Sequence, residues 1–281
     1  MQQHTRGHTM KHSHKGWMQD AKKQSVLHSM TARRLLAIPL LLCVVFTLSF
    51  FTAHAVPQGA DVVFNSTGSA LSNPPGNRTD DGGTITTVVL DTLQQNNAWK
   101  GYVGNVTGRL ALNDGDGFTL YDWAFEGVTI TGEVYAARTD LLDFSSVECA
   151  NTTTIQAEEL FHNMTTAQAD SITNTFNYTL HSQFSVGAIS GPPNTIAADS
   201  CPSTATYVDD VRQAMDDEAT TVFQEILLQD ASTNMLYVTL IEDAESGYRD
   251  DGTSLFDFQL IVPESTVKST PTTYFFFLEI S

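Results

Sequence analysis

The chain has 281 residues, with 32 acidic and 14 basic side chains and a net charge of −18. Residues 1–55 hold seven of the basic residues and one acid, so residues 56–281 contain 31 acids and seven bases, a net of −24. This charge argues against nucleic acid or an anionic membrane as a partner of the body. A hydrophobic content of 41% excludes an acidic disordered tail and is sufficient for a core.

An apolar run, Leu35–Phe51, follows the basic pair at residues 33–34 and precedes an Ala-His-Ala sequence at residues 53–55. This arrangement is typical of a secretory signal peptide, with cleavage after Ala55. The run has 17 residues, the lower limit for a spanning helix, so an uncleaved anchor is the alternative. The sequence thus predicts a secreted or cell-surface protein, in contact with a membrane only if residues 35–51 are retained.

The segment before the signal, residues 1–29, contains five histidines and five basic residues. A histidine-rich segment suggests metal binding. However, Met30 begins a compact signal peptide of its own, and we expect the true start of the protein there.

Residues 56–84 are predicted to form a flexible spacer, because residues 65–84 are almost entirely Ser, Thr, Gly, Pro, Asn and Asp. An ordered but irregular arm is the alternative. Residues 85–281 are predicted to form one β-rich domain, an antiparallel β-sandwich-like fold with one or two short helices. Gly187–Asp199 is the best internal break, and a division there into two small β domains is the alternative.

Period-2 patterns and short apolar runs rich in Thr, Val, Phe and Tyr predict about nine strands. These lie at Ile85–Leu90, Lys100–Leu112, Gly117–Trp123, Val128–Ala137, Asn174–Val186, Thr220–Gln229, Met235–Glu242, Leu255–Val262 and Thr273–Ile280.

Helical spacing of apolar residues predicts one helix over Thr154–Asp170 and a second over Tyr207–Ala219. Glu159 and His162 have the Glu-x-x-His spacing of di-iron sites, but the motif occurs once and is expected to be a surface pair. His181 falls on the polar face of the strand predicted at Asn174–Val186 and is expected to be solvated.

Only Cys149 and Cys201 remain beyond the signal segment. In an exported chain, two cysteines predict one disulfide, and two separate buried thiols are the alternative. Export also makes glycosylation a candidate modification. The Asn-x-Ser/Thr acceptors are Asn65, Asn77, Asn105, Asn151, Asn163 and Asn177.

Calcium is the best cofactor candidate. Asn113, Asp114 and Asp116 in an Asn-Asp-Gly-Asp-Gly turn offer clustered oxygen ligands, although a plain hairpin turn explains the same residues. Four aromatic residues could form a platform on which sugars stack, although such residues are more often core or edge aromatics of a β domain: Trp99, Tyr102, Tyr121 and Trp123.

No catalytic signature is present: the sequence contains no G-x-S-x-G motif, no phosphate-binding glycine loop and no C-x-x-C motif. Adjacent acids are abundant, so a hydrolase using two carboxylates is a third hypothesis, which requires two acids that face each other across a cleft.

Several segments are similar to a group of uncharacterised exported or surface proteins predicted from archaeal genomes. The first is AWKGYVGNVTGRLALNDGDGFTLYDW, followed by GEVYAAR and Cys149, and later by VFQEILLQD, IEDAESGY, DFQLIVPE and TPTTYFFFLEIS. Together they cover most of Ala98–Ser281. The resemblance implies an exported surface protein and supplies no catalytic residues.

These features predict a structural or adhesive role in the cell envelope and no enzymatic activity. A carbohydrate- or calcium-dependent binding module is the alternative. The expected partners are other envelope components or a second copy, reached by strand addition through the apolar C-terminal strand at Thr273–Ile280.

Overall fold

The computed structural model describes residues 56–64, 66–72, 74–124, 129–187 and 193–280. The signal segment, including the alternative anchor at residues 35–51, lies outside the described residues. Within the described part, no helix has the length and apolar character needed to span a membrane.

In this part of the chain the strands, numbered in order, are β1 (Gln58–Gly59), β2 (Trp99–Gly104), β3 (Arg109–Asn113), β4 (Thr119–Ala124), β5 (Gly132–Ala137), β6 (Glu148–Cys149), β7 (Phe184–Val186), β8 (Asn194–Ile196), β9 (Ser203–Ala205), β10 (Gln224–Gln229), β11 (Met235–Leu240), β12 (Glu245–Ser246), β13 (Leu255–Phe256), β14 (Phe258–Pro263) and β15 (Phe275–Ile280). The helices are α1 (Thr152–Phe161) and α2 (Ile172–Thr175).

The centre of the molecule is a seven-stranded sheet in the order β1-β15-β5-β11-β10-β6, with β9 also paired to β10. Every pairing in this sheet is antiparallel. Strands β10 and β11 consist almost entirely of buried residues, as expected for an apolar run covered on both faces. The mainly β, antiparallel, sandwich-like class predicted from the sequence is therefore confirmed.

The two faces of this sheet carry different cores. One face, with Ala136, Leu227 and Tyr237, packs against the β2–β14 ribbon and the two helices. The opposite face, with Tyr135, Ile226 and Val238, packs against the β7–β8 hairpin. The alternation of side chains along each strand divides them between these two layers.

One disulfide joins Cys149 to Cys201, as predicted, with a Cα–Cα distance of 5.1 Å. Cys149 lies on the short edge strand β6, which pairs with β10, and Cys201 precedes β9, which pairs with the same strand. The bond therefore ties together two segments that border one edge of the central sheet.

The helix predicted over Tyr207–Ala219 is wrong. Asp209 and Asp210 have φ values of 50° and 59°, in the left-handed region. Their amides donate to the carbonyl oxygens of Gly247 and Tyr248 at 2.8 and 2.9 Å. Because these long-range bonds bind the amides that a helix would use, the segment forms turns instead.

The long strand predicted at Asn174–Val186 is also wrong. Ser171 caps the short helix α2 by accepting a hydrogen bond from the amide of Asn174. Only the last residues of the predicted strand form β7. The helix predicted over Thr154–Asp170 exists but is shorter, because α1 ends at Phe161 and Asn163 adopts a φ of 59°.

The N-terminal segment differs from the prediction at both ends. Gln58 and Gly59 form β1, so the predicted spacer begins inside the central sheet. Every described residue from Asp61 to Asn97 is exposed, and the strand predicted at Ile85–Leu90 does not form. Exposed irregular chain thus extends past residue 84, up to the start of β2.

Candidate interaction surface

Strands β3 and β4 form a hairpin, residues 109–124, that we call the arm. Within the described residues these strands pair with each other and with no other strand. Leu110 lies opposite Trp123, and Leu112 lies opposite Tyr121. Directly opposed residues share a face in an antiparallel pair, so these four side chains form one apolar face of the arm.

Most of this apolar surface is open to solvent. Leu112, Tyr121 and Trp123 on the face, with Phe118 and Leu120 near the tip, are between 51% and 81% exposed. A cavity of about 470 Å³, lined by Leu112, Phe118 and Leu120 among others, lies beside the tip. Exposed apolar side chains that share one face, as Leu112, Tyr121 and Trp123 do, mark a binding site more often than isolated surface hydrophobics do.

The geometry of the arm is fixed locally. Arg109 donates to the carboxylate of Asp122 at 2.7 Å, and the rings of Tyr121 and Trp123 meet edge to face with centroids 5.1 Å apart. At the base, Leu110 packs against the core. The arm therefore has its base in the body and a free apolar face farther out.

The predicted calcium turn lies at the tip of the arm. Oδ1 of Asp114 accepts hydrogen bonds from the amides of Asp116 and Phe118 at 3.0 and 2.9 Å, which closes the turn. Asn113 pairs with Thr119 across the hairpin. Among the described residues, no group of three or more His, Cys, Asp or Glu is placed to hold a metal ion. Calcium binding by Asn113, Asp114 and Asp116 stays a prediction.

The predicted aromatic platform is divided between two sheets. Trp99 donates from Nε1 to the carbonyl oxygen of Asp170 at 2.8 Å, and Tyr102 packs edge-on against Phe276 with centroids 4.9 Å apart. Both belong to the packing around the core. Trp123 lies on the arm, and its ring partner there is Tyr121, the other aromatic residue of the predicted Tyr121-Asp-Trp123 group.

The glycosylation acceptors have the exposure that a glycan requires. Asn77, Asn105, Asn151, Asn163 and Asn177 are all exposed, and Asn65 lies outside the described residues. Asn151 also caps α1 by accepting a hydrogen bond from the amide of Thr154. Use of these sites stays a prediction.

A buried polar network lies on the helix side of the central sheet. Arg138 donates two hydrogen bonds of 2.6 Å to the carboxylate of Glu158. Nε2 of His162 lies 3.3 Å from Glu158 and 3.3 Å from the hydroxyl of Tyr274, which donates to the carbonyl oxygen of Pro263. The network joins α1 to the central sheet and to Tyr274, the residue that precedes β15.

The surface pair predicted for Glu159 and His162 is wrong, because both side chains are buried. Oε1 of Glu159 accepts a hydrogen bond from the amide of Thr173, which links α1 to α2. The acid beside His162 is Glu158, one turn earlier on the helix. His162 is therefore paired with Glu158, four residues earlier, and not with Glu159 at the Glu-x-x-His spacing.

Burial alone would raise the pKa of Glu158, but the hydrogen bonds from His162 and Arg138 outweigh it and hold that pKa below its ordinary value. Arg138 and Glu158 also line a cleft of about 130 Å³. Nδ1 of His162 and the hydroxyl of Tyr237 are buried and have no hydrogen-bond partner in the described structure. Because its pKa is lowered, the Glu158 carboxylate is ionised at neutral pH, and it holds Arg138 and His162 in place.

Two glutamates face each other on the opposite side of the central sheet. Glu133 of β5 and Glu279 of β15 are cross-strand partners, and both are buried. The amide of Ser185 donates to Glu133, and the amide of Gly187 and the hydroxyl of Tyr135 donate to Glu279, all at 2.9 Å. This pair therefore connects the β7 strand to the sheet.

Burial, reinforced by the neighbouring Glu279, raises the pKa of Glu133 to about 8. Burial likewise raises the pKa of Glu279, against the hydrogen bonds from Gly187 and Tyr135. Like charges this close disfavour double ionisation, so the pair retains a proton at neutral pH. The pair resembles the two facing acids of the hydrolase hypothesis, but both carboxyl groups lie under β7 instead of lining a cleft.

The sequence contained a signal for these buried acids that the analysis did not use. Glu133, Glu225 and Glu279 are each the one charged residue in a strand whose residues are mostly buried or half-buried. A charged residue inside such a strand is buried with it, and it must find hydrogen-bond partners there. For Glu225, the amide of Ile261 is that partner at 2.9 Å.

The expectation that His181 is solvated is wrong. Its ring is buried, and Nε2 accepts hydrogen bonds from the amides of Ser200 and Cys201 at 3.0 and 2.9 Å. Nδ1 lies 2.6 Å from the carbonyl oxygen of Ser182, so it carries the proton. Burial lowers the pKa of His181. The neutral ring positions the segment that contains one disulfide cysteine.

No protein-family model, curated protein or solved structure matches this chain. The resemblance to exported archaeal proteins therefore stays a prediction.

Proposed function

We propose that this chain is an exported cell-surface or secreted β-domain protein with a structural or adhesive role in the envelope, and that it binds its partner through the arm. One observation carries the proposal: the arm exposes Leu112, Tyr121 and Trp123 together on one face, with Phe118 and Leu120 near the tip. Exposing such side chains is unfavourable in water, and covering them would contribute to binding.

The properties of the body support the same role. The disulfide joins two segments at one edge of the central sheet, which suits an oxidising extracellular setting. The five described glycan acceptors are exposed at the surface, where a glycan can be attached. The net charge of −24 on residues 56–281 keeps the rest of the surface well hydrated. An apolar arm on a highly charged body is the arrangement expected of a domain that attaches at one place.

Binding of fluorescently labelled residues 56–281 to isolated cell envelopes tests the proposal. We expect the double substitution Tyr121→Thr with Trp123→Thr to abolish binding, because threonine keeps strand propensity but removes the apolar face. The matched control is Tyr207→Thr with Val211→Thr, since both residues are exposed and lie away from the arm. Equal binding by the two double variants, or no binding by the unaltered protein, would contradict the proposal.

A carbohydrate-binding module is the second candidate, and the edge-to-face pair of Tyr121 and Trp123 favours it. Exposed aromatic rings are surfaces on which the apolar faces of sugars pack. Glycan-array binding that is lost in Trp123→Thr and unchanged in Trp99→Phe would support this candidate, because Trp99 packs against the core. A requirement for millimolar calcium would add the turn at Asp114 to the site.

A further inference from the structure

We propose that Ile85–Leu93 of one copy adds as a strand to an open edge of the arm in a second copy. This inference rests on the proposed function, since it names the partner that the arm binds. It differs from the strand addition expected from the sequence, in which the C-terminal strand is donated. In the structure, β15 pairs along its whole length with β5 and, at Phe277 and Leu278, with β1, so it is already part of the central sheet of its own chain.

The donor segment has the composition of a strand and no sheet to join in its own chain. Its sequence, ITTVVLDTL, is rich in β-branched residues, yet it forms no strand and is exposed throughout. Val88 is 55% exposed, and Ile85, Val89, Leu90 and Leu93 are more exposed still. An exposed apolar segment with high strand propensity is suited to pairing with another chain.

The acceptor has the complementary property. Within the described residues the arm is a two-stranded sheet, so each strand leaves one row of amide and carbonyl groups without a strand partner. Two-stranded ribbons have marginal stability, and a third strand increases it. Because side chains alternate along a strand, one face of the added strand, with either Val88 and Leu90 or Ile85, Val89 and Leu93, would extend the apolar face of the arm.

Charge favours these two surfaces as the place where copies meet. Two bodies of net charge −24 repel each other, so contact requires surfaces of low charge. The donor segment Ile85–Leu93 contains one charged residue, Asp91, and the apolar face of the arm contains none. On the arm, Arg109 and Asp122 are paired with each other, and the remaining charges, Asp114 and Asp116, lie in the turn at the tip and not on the apolar face.

A second copy is the occupant that the single-chain structure favours. The donor segment and the arm belong to the same chain, yet both are exposed in it. Each lacks what the other provides, namely an open sheet edge for the segment and an apolar cover for the arm. Reciprocal pairing between copies satisfies both, and head-to-tail repetition would extend the assembly into a filament.

Crosslinking in a mixture of isotopes tests this pairing. Residues 56–281 carrying a photoreactive phenylalanine derivative at Val89 are mixed with the unaltered ¹⁵N-labelled chain and irradiated. We expect crosslinked peptides that join the unlabelled donor segment to ¹⁵N-labelled arm peptides, residues 109–124. A crosslink confined to unlabelled arm peptides would show pairing within one chain and would overturn the inference.

Light scattering over a range of concentrations provides the second readout. We expect the unaltered chain to associate, and both Leu90→Asp in the donor and Tyr121→Thr with Trp123→Thr in the arm to abolish association. Leu71→Asp is the control, because Leu71 is equally exposed but lies outside the donor segment; it should associate normally.

The outcomes separate this inference from the proposed function. If only the arm variant loses association or envelope binding, the arm binds something other than the donor segment, and the inference fails while the proposed function stands. If the arm variant changes neither, both fail. A strictly monomeric chain that still binds envelopes through the arm also overturns the inference.

Discussion

The body differs from the arm in its buried ionisable groups, and the arm differs from the body in its exposed apolar face. The body buries ionisable side chains such as Glu133, Glu158 and Glu279, and gives each of them hydrogen-bond partners. The arm exposes Tyr121, Trp123 and other large apolar side chains. We therefore propose that stability depends on the body and binding on the arm. Substitutions in the body should alter unfolding, whereas substitutions in the arm should alter association.

Loss of the disulfide should have the largest effect on the body. The bond closes a loop with a sequence separation of 52 residues. Its removal is expected to lower the free energy of unfolding by about 4 kcal/mol, because the unfolded chain regains the entropy of that loop. Urea denaturation of the double variant Cys149→Ser with Cys201→Ser measures this. An unchanged midpoint would show that the bond does not constrain the body.

Removal of Glu158 should have the next largest effect. The substitution Glu158→Ala leaves Arg138 and His162 without their acid, and we expect a loss of about 2 kcal/mol. This is below the usual range for breaking a buried pair, because the Arg138 side chain is 31% exposed and solvent compensates part of the loss. Glu218→Ala, at an exposed glutamate, is the control and should leave the urea midpoint unchanged.

The facing glutamates should make the body less stable as the pH rises. The pKa of Glu133 is about 8 in the folded protein and 4.5 in the reference state. The unfolded chain therefore loses its proton first, and its ionisation favours unfolding as the pH rises from 4.5 to 8. His181 acts in the opposite direction, because its lowered pKa removes stability as the pH falls below 6.5.

We expect Glu133 to contribute a loss of about 3 kcal/mol between pH 5 and pH 8, since each pH unit over which the folded and unfolded states differ by one bound proton contributes about 1.4 kcal/mol. His181 offsets part of this loss. Urea midpoints at several pH values measure the slope, and Glu133→Gln should flatten it. A slope that is equal in the two proteins would mean that Glu133 ionises in the folded state without cost.

Substitution of the arm should have the smallest effect on stability. Tyr121→Thr with Trp123→Thr is expected to change the free energy of unfolding by about 0.5 kcal/mol or less, because neither side chain is in the core. Thermal unfolding measures this. A large destabilisation would show that the arm packs on the body and would remove the distinction between the two regions.

Much of the body could be predicted from the sequence, because its signals are local. Strands β5, β10, β11 and β15 lie within predicted apolar runs, and the pairing of Cys149 with Cys201 followed from export and a count of two. The mainly β class followed from the same patterns.

The errors arise where distant residues decide the local structure. Ile85–Leu90 has strand propensity but no partner strand, and propensity alone does not form a ladder. Asp209 and Asp210 are held by carbonyl groups of Gly247 and Tyr248, which local spacing does not reveal. His181 is buried because the chain at Ser200 and Cys201 packs against its ring and donates two hydrogen bonds to it.

The candidate site was predicted only in part. The sequence analysis singled out the turn at Asp114 and Trp123, which proved to lie on one arm. It could not show that Trp99 and Tyr102 would pack against the core. Nor could the alternation along β4 show that the face with Tyr121 and Trp123 would be left uncovered.

The most direct test of the account is cosedimentation of residues 56–281 with cell envelopes, comparing the unaltered chain with Tyr121→Thr/Trp123→Thr at a temperature where both are folded. The account predicts that the unaltered chain sediments with the envelopes and that the arm variant stays in solution. Undiminished sedimentation of the folded arm variant would contradict the assignment of binding to the arm.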